Sequence, residues 1–324
     1  MSDARTPLRF FGQREGSEGA YGPFLRNGGK YRRVYDPFCG SASVTAFAMR
    51  NGLADEYVFS DVDRPLMDFW ALVKALPELV IARYQELAEA LAALPSDTER
   101  AAAFDAEVAR FNDSDDPTAR ALLYPFLLNA SRLNLPRFRD GRFVNVYGQL
   151  PAPGEFAERV RATHRALNQH RANGCCAGAL DATACATDRD LVLLDPPYPD
   201  CQNPGMEGVN QIYNYPGDKR ALHQTLLEVI DRLNARRVPF LLFYGAMDFD
   251  PSFLLDERRS QVHHWAHLGG GGDDVLGFYS EHIYTSTHPA FEPSQLPARV
   301  KRFDPRIHGS NARIVEDLLR SAGP

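Results

Sequence analysis

The run Leu191-Val192-Leu193-Leu194, followed at once by Asp195-Pro196-Pro197-Tyr198, decides how the rest of the chain is read. Four consecutive β-favouring apolar residues are the pattern of a strand covered on both faces, as in a parallel sheet. A run that stops abruptly at Asp-Pro-Pro delivers its next residues into a loop at the carboxyl edge, where open α/β sheets bind ligands. The two prolines keep their neighbours extended and remove two N–H donors, so nearby carbonyls point outward as acceptors. Together these residues make a clamp for a planar group bearing an NH2. Asp195 and the Pro196 carbonyl accept its two hydrogens, Pro197 stiffens the loop, and the Tyr198 ring stacks on its face. An ordinary strand exit with Tyr198 as core filler would use the same four residues.

Upstream, Val34-Tyr35 leads into Asp36-Pro37-Phe38-Cys39-Gly40-Ser41-Ala42-Ser43, and Val44 to Arg50 continue as a helix until Asn51-Gly52 stops it. Strand, small-residue loop and helix together let a ligand approach bare backbone amides at a helix N-terminus. The next strand, Tyr57 to Ser60, ends at Asp61, 21 residues after Gly40. That is the usual spacing for an acidic side chain that takes both hydroxyls of a ribose. Ala42 stands where a second glycine is often found. The expectation is an adenosine-containing cofactor.

The chain has 324 residues and a net charge of −6, with 44% hydrophobic and 24% charged residues, ordinary values for a globular protein. No apolar run approaches the ~20 residues needed to span a bilayer, so a soluble, cytoplasmic protein without membrane contact is expected. Five cysteines without a Cys-x-x-Cys pair suggest neither a disulfide framework nor a zinc site, and His263, His264 and His267 match no metal spacing. The acidic balance excludes a chain that coats nucleic acid all over, yet local basic clusters stand out. One lies within the first 33 residues (Arg5, Arg9, Arg14, Arg26, Lys30, Arg32, Arg33), a second comprises Arg132, Arg137, Arg139 and Arg142, and residues 97–116 between them are acidic.

In order along the chain, helices are expected over 65–94, from the Pro95-Ser96-Asp97 cap to Asp113, over 121–134 and over 155–173. Leu135 to Gly148 mixes Arg with Phe and Tyr around Asp140-Gly141, a basic hairpin suited to phosphates and unstacked bases or to plain packing. Strands are expected over 177–181, 190–194 and 238–244, with a helix over 217–235. An antiparallel pair, 260–267 and 278–286, crosses Gly269-Gly270-Gly271-Gly272. The tail from Pro289 is proline-rich with one helix over 312–321.

Asp36-Pro37-Phe38-x-Gly40, Asp61 and Asp195-Pro196-Pro197-Tyr198 together resemble the signature of S-adenosylmethionine-dependent amino-methyltransferases. Their order resembles the DNA adenine methylase (Dam) family over most of residues 7–285. Pro7 to Arg14 is similar to that family's N-terminal cofactor motif, with Phe11 as the aromatic and Arg14 in the lysine position. Leu128-Asn129, Gly141-x-Phe143 with Gly148, and Tyr213-x-Tyr215 fit further elements, while Val144-Asn145-Val146 replaces Asn-Val-Pro. The resemblance implies a Rossmann-like seven-stranded α/β class I methyltransferase sheet. Residues 1–80 and 175–290 would form a discontinuous catalytic domain, residues 81–174 an inserted, mainly helical target-recognition lobe, and residues 291–324 a C-terminal tail. It further implies that S-adenosyl-L-methionine is held by Phe11, Arg14, Asp36, Phe38, Gly40, Asp61, Asp181 and Asp195. Methyl transfer would go, without a metal, to the N6 amine of an adenine flipped from duplex DNA and clamped by Asp195, Pro196, Pro197 and Tyr198. Arg132, Arg137, Arg139, Arg142, Tyr213 and Tyr215 would contact the DNA. The clamp also suits an amine of an RNA base, a protein glutamine or a small metabolite, and the fold could serve as a non-catalytic binding module.

Overall fold

The computed structural model describes residues 5–10, 13–15, 18–27, 29–134, 136–197, 219–245, 259–260, 281–286 and 291. Its centre is a mostly parallel sheet. Strand β1 (Tyr31–Asp36) has β2 (Ala54–Asp61) on one side and β6 (Leu191–Leu194) on the other; β5 (Ala172–Cys176) flanks β2, and β7 (Phe240–Gly245) flanks β6. These five run parallel, and β9 (Glu281–Thr285) closes antiparallel on β7. The two-residue strand β8 (Arg259–Ser260) pairs antiparallel with β9.

All four residues of β6 are buried, and alternation across the pleat sends them into two cores. Leu191 and Leu193 join Val34, Phe47, Phe59 and Trp70 on one face, whereas Val192 and Leu194 join Tyr35, Val229, Ile230 and Leu233 on the other. Burying such side chains is worth about 1.5–3 kcal/mol each, so the strand's place between β1 and β7 is strongly specified. Helix α1 (Glu18–Asn27) precedes the sheet, α2 (Ser43–Arg50) links β1 to β2, α8 (Ala179–Ala182) links β5 to β6, and α9 (Lys219–Ala235) precedes β7. The winding leaves β1 in both directions, so the crevice beyond the carboxyl ends of β1 and β6 is the topological switch point of the sheet.

Between β2 and β5 come α3 (Arg64–Ala75), α4 (Pro77–Ala92), α5 (Asp97–Asp113), α6 (Pro117–Ala130), the hairpin β3 (Phe138–Arg139) and β4 (Arg142–Phe143), and α7 (Pro153–Gln169). Four expectations need correction. The helix read over 65–94 is two: Pro77 begins α4 and forces Leu76 out of the α-region (φ −136°, ψ 57°). The helix read over 121–134 starts at Pro117, where Asp116 accepts the Thr118 N–H, and ends at Ala130. The strand read over 177–181 lies earlier, at β5, and Ala179–Ala182 is a helical turn instead. Helix α7 stops before 173 because Arg171 turns left-handed (φ 52°), after which Ala172 to Cys176 pair with Tyr57 to Asp61. The expected boundaries after 80 and after 174 fall inside α4 and β5. The glycine run 269–272, the histidines 263, 264 and 267, and the tail beyond Phe291 lie outside the described residues.

Candidate active site

Three carboxylates gather at the carboxyl edge because three neighbouring strands end in them: Asp36 on β1, Asp61 on β2, and Asp195 just past β6. Asp36 is 2% exposed, and its Oδ2 accepts the Thr45 hydroxyl of α2 at 2.7 Å. Burial pushes its carboxyl up to about 7; the Thr45 hydrogen bond pulls the other way, and the charges of Asp195 and Asp61 add to the rise.

The loop from Phe38 to Ala42 is held on every side. Gly40 is left-handed (φ 46°), and a β-carbon there would lie 3.2 Å from the Phe10 ring. Its N–H donates to Asp61 Oδ2 (3.2 Å), and its carbonyl accepts the Trp70 indole N–H (3.2 Å). Ala42 is also left-handed (φ 53°, ψ 27°) and hands the chain to α2 at Ser43. Asp61 takes a second backbone N–H, from Asp63, on Oδ1 (3.1 Å). Burial raises the Asp61 carboxyl against these backbone hydrogen bonds. A carboxylate offers about four acceptor sites, so tying down the loop is compatible with accepting ribose hydroxyls as well.

Arg14 lies directly on Asp195. Its Nε donates to Oδ2 at 2.7 Å and its Nη2 to Oδ1 at 2.6 Å, a bidentate fork. The Arg14 residue is 6% exposed, its guanidinium carbon sits 3.9 Å from the centre of the Phe243 ring on β7, and its backbone N–H donates to Ser43 Oγ (3.0 Å). The segment carrying it is docked by Asn129 of α6, which accepts the Arg9 N–H and donates to the Pro7 carbonyl. Arg159 of α7 reinforces this by donating to the Thr6 carbonyl and to Glu15.

Of the other expected residues, Pro196 is buried at the exit of β6 and Pro197 is half-buried, and Phe38 packs into the core beside Tyr35 and Val192. Asp181 is exposed on α8, beyond the end of β5. Phe11, Tyr198, Tyr213 and Tyr215 lie outside the described residues. Arg139 and Arg142 face each other across the hairpin, whose turn is Asp140 (φ 50°) and Gly141 (φ 75°). Phe138 and Phe143 bury the opposite face edge-to-face at 5.4 Å, and Asn112 of α5 brackets Phe143 through both its N–H and its carbonyl. Arg142 reaches Asp113 at 2.9 Å, Arg132 is exposed, and Arg137 is half-buried. Sequence reasoning missed Thr45, Trp70 and Phe243; a threonine or an aromatic in an apolar helix or strand carries no local sign of what it touches.

Among the described residues no cluster of three or more His, Cys, Asp or Glu side chains could hold a metal ion, and no helix is long and apolar enough to cross a membrane. No curated protein matches the chain. A family model described as D12 class N6 adenine-specific DNA methyltransferase matches residues 24–265, from α1 through the carboxylate-bearing strands and past β8. The chain belongs to that family, whose members move a methyl group to the N6 amine of adenine in DNA.

Proposed function

We propose that the carboxyl edge of β1, β2 and β6 is where this adenine methylation takes place in the cytoplasm, on an adenine flipped from duplex DNA. The observation that carries the reading is the convergence of Asp36, Asp61 and Asp195 at the switch point of the sheet. S-adenosyl-L-methionine supplies an electrophilic methyl on a sulfonium and carries an ammonium as well, and a site lined by three carboxylates suits a cationic ligand. Asp61 is assigned to its ribose, the Gly40 loop and Asp36 to its remaining polar groups, and Asp181 to its adenine. Phe11 is assigned to the same ligand on the strength of the sequence.

Asp195 and the Pro196 carbonyl would accept the two amine hydrogens, with Pro197 holding the loop and Tyr198 stacking on the base. These acceptors draw the amine lone pair out of conjugation with the ring and aim it, so positioning and electrostatics carry the rate without a metal. Residues 81–174 are assigned as the inserted target-recognition lobe of a seven-stranded class I fold, with residues 1–80 and 175–290 as the catalytic domain and 291–324 as a tail. Arg132, Arg137, Arg139, Arg142, Tyr213 and Tyr215 would meet the DNA. The cross-strand pair Arg139 and Arg142 supports this: two exposed guanidiniums side by side, Arg142 held by an exposed pair with Asp113, suit an anion such as phosphate.

The test is transfer of labelled methyl from the cofactor to unmethylated duplex DNA, with digested nucleosides resolved by mass. Labelled N6-methyl-2′-deoxyadenosine is expected from the native chain and none from Asp195→Ala, which should still bind cofactor. Full activity in Asp195→Ala would remove the assignment.

A further inference from the structure

We propose that Arg14 is a positioning residue for methyl transfer, acting through Asp195 rather than on the cofactor. The inference rests on the assignment of Asp195 as acceptor of the target amine. A lone carboxylate at a strand exit can rotate about two side-chain bonds. The Nε/Nη2 fork, at 2.7 and 2.6 Å, fixes both torsions and so sets the plane in which the carboxylate lone pairs lie.

Arg14 can do this because it is itself fixed. Its backbone is tied to Ser43, the first residue of α2, and its guanidinium carbon stands over the Phe243 ring, 3.9 Å from the centre. Its chain neighbour Glu15 accepts the Thr6 N–H (2.8 Å) and pairs with Arg159. Phe243 belongs to β7, the strand beside β6, so the fork bridges the N-terminal segment and two adjacent strand ends. An exposed ion pair would be an incidental surface contact; here the arginine side chain is only 7% exposed. A lysine could supply the charge as a single point but not the plane.

The fork takes one acceptor site on each oxygen of a group that offers about four, so it and an amine N–H can be held by the same carboxylate. In the reaction the amine nitrogen forms a bond to the methyl carbon while the carbon–sulfur bond breaks, and its electron pair goes to sulfur, leaving a neutral thioether. The nitrogen, now cationic, gives its extra proton to water. With Arg14 in place Asp195 acts throughout as a hydrogen-bond acceptor and is not the proton's destination.

The test uses the full chain, duplex DNA and labelled cofactor, comparing the native protein with Arg14→Ala and Arg14→Lys. Misplacing one catalytic group by about an ångström costs on the order of 100-fold, so Arg14→Ala should lose about that in kcat with its cofactor KM within about threefold. Methylguanidinium at non-denaturing concentration should restore activity to Arg14→Ala, and Arg14→Lys should recover only part of it. Independently of turnover, the losses in melting temperature for Arg14→Ala and Asp195→Ala should be strongly non-additive in the double variant. A rise in cofactor KM with kcat unchanged would overturn the inference, as would additive melting shifts with no rescue by methylguanidinium. Non-additive melting alongside a native protein that labels no adenine would instead defeat the functional reading, and with it the role given to Arg14.

Discussion

Asp36→Asn should separate the cost of the site from its use. Asp36 is buried, and burial raises its carboxyl from an ordinary value of 3.8 to about 7. An acid that holds its proton more tightly when folded contributes stability that is full below its unfolded value. That contribution is lost as the pH climbs toward 7 and is flat above it. At about 1.4 kcal/mol per pH interval of one, the loss amounts to about 4 kcal/mol, an upper figure because a solvated or relaxed site would lessen it. Asparagine keeps an acceptor for the Thr45 hydroxyl and has no charge to bury. The variant should therefore match the native protein near pH 4 and exceed it progressively at higher pH, with an advantage that grows by about 2–3 kcal/mol between pH 5 and 7. Urea unfolding of both proteins at pH 5, 7 and 8 reads this directly. The advantage should reverse when the cationic cofactor is added, since the native carboxylate recovers its charging cost on binding and the amide does not. Cofactor affinity of the native protein should likewise rise toward pH 7 and then level off. A stability difference that does not change with pH would refute the reasoning, as would an asparagine variant less stable than native at pH 8.

Ala42→Gly should stabilise the protein by about 0.5–1 kcal/mol, because a left-handed alanine costs about 1–2 kcal/mol and the extra freedom of glycine when unfolded cancels part of the relief; a lower melting temperature would count against the strain. Gly148→Ala should do the opposite. A β-carbon there would stand 2.4 Å from Arg132 Cα and 2.6 Å from its N, so the backbone must move, at a cost of about 2 kcal/mol or more in denaturant unfolding; an unchanged midpoint would contradict this. Arg139→Ala and Arg142→Ala should each lower the slope of log affinity for DNA against log salt by about 1. The ion pair of Arg142 with Asp113 is exposed, so its loss should change stability by no more than about 0.5 kcal/mol. A slope that does not move in either variant would take the hairpin off the DNA.

How far the sequence could be read depended on whether a residue's role is set by its neighbours along the chain. β6 and its exit at Asp195 were legible because four buried apolar residues in a row, ended by two prolines, admit few other structures. The Gly40 loop and Asp61 were legible for a similar reason, since the turn and the strand end each carry their own local sign. β5 was misplaced because Ala-Asn-Gly-Cys-Cys has no apolar alternation, and its register is dictated by β2 rather than by its own residues. The single helix over 65–94 failed at Leu76, where a strong apolar period masked the stop that Pro77 imposes on the residue before it.

The contacts that tune the site belong to a further class. Thr45 reaches Asp36 across 9 residues, Trp70 reaches Gly40 across 30, and Arg14 reaches Asp195 across 181. None of these pairs leaves a periodicity or a spacing, because the sheet brings them together only after β1, β2, β6 and β7 have taken their order. At Arg14 this bears directly on function. Its place in an N-terminal motif pointed to the cofactor, yet the fold sets its guanidinium on the carboxylate assigned to the target amine. A motif can thus name the residues of a site while the sheet decides which of them act on one another. For this chain, the variants that distinguish mechanisms are those that break a pair rather than those that delete a motif residue.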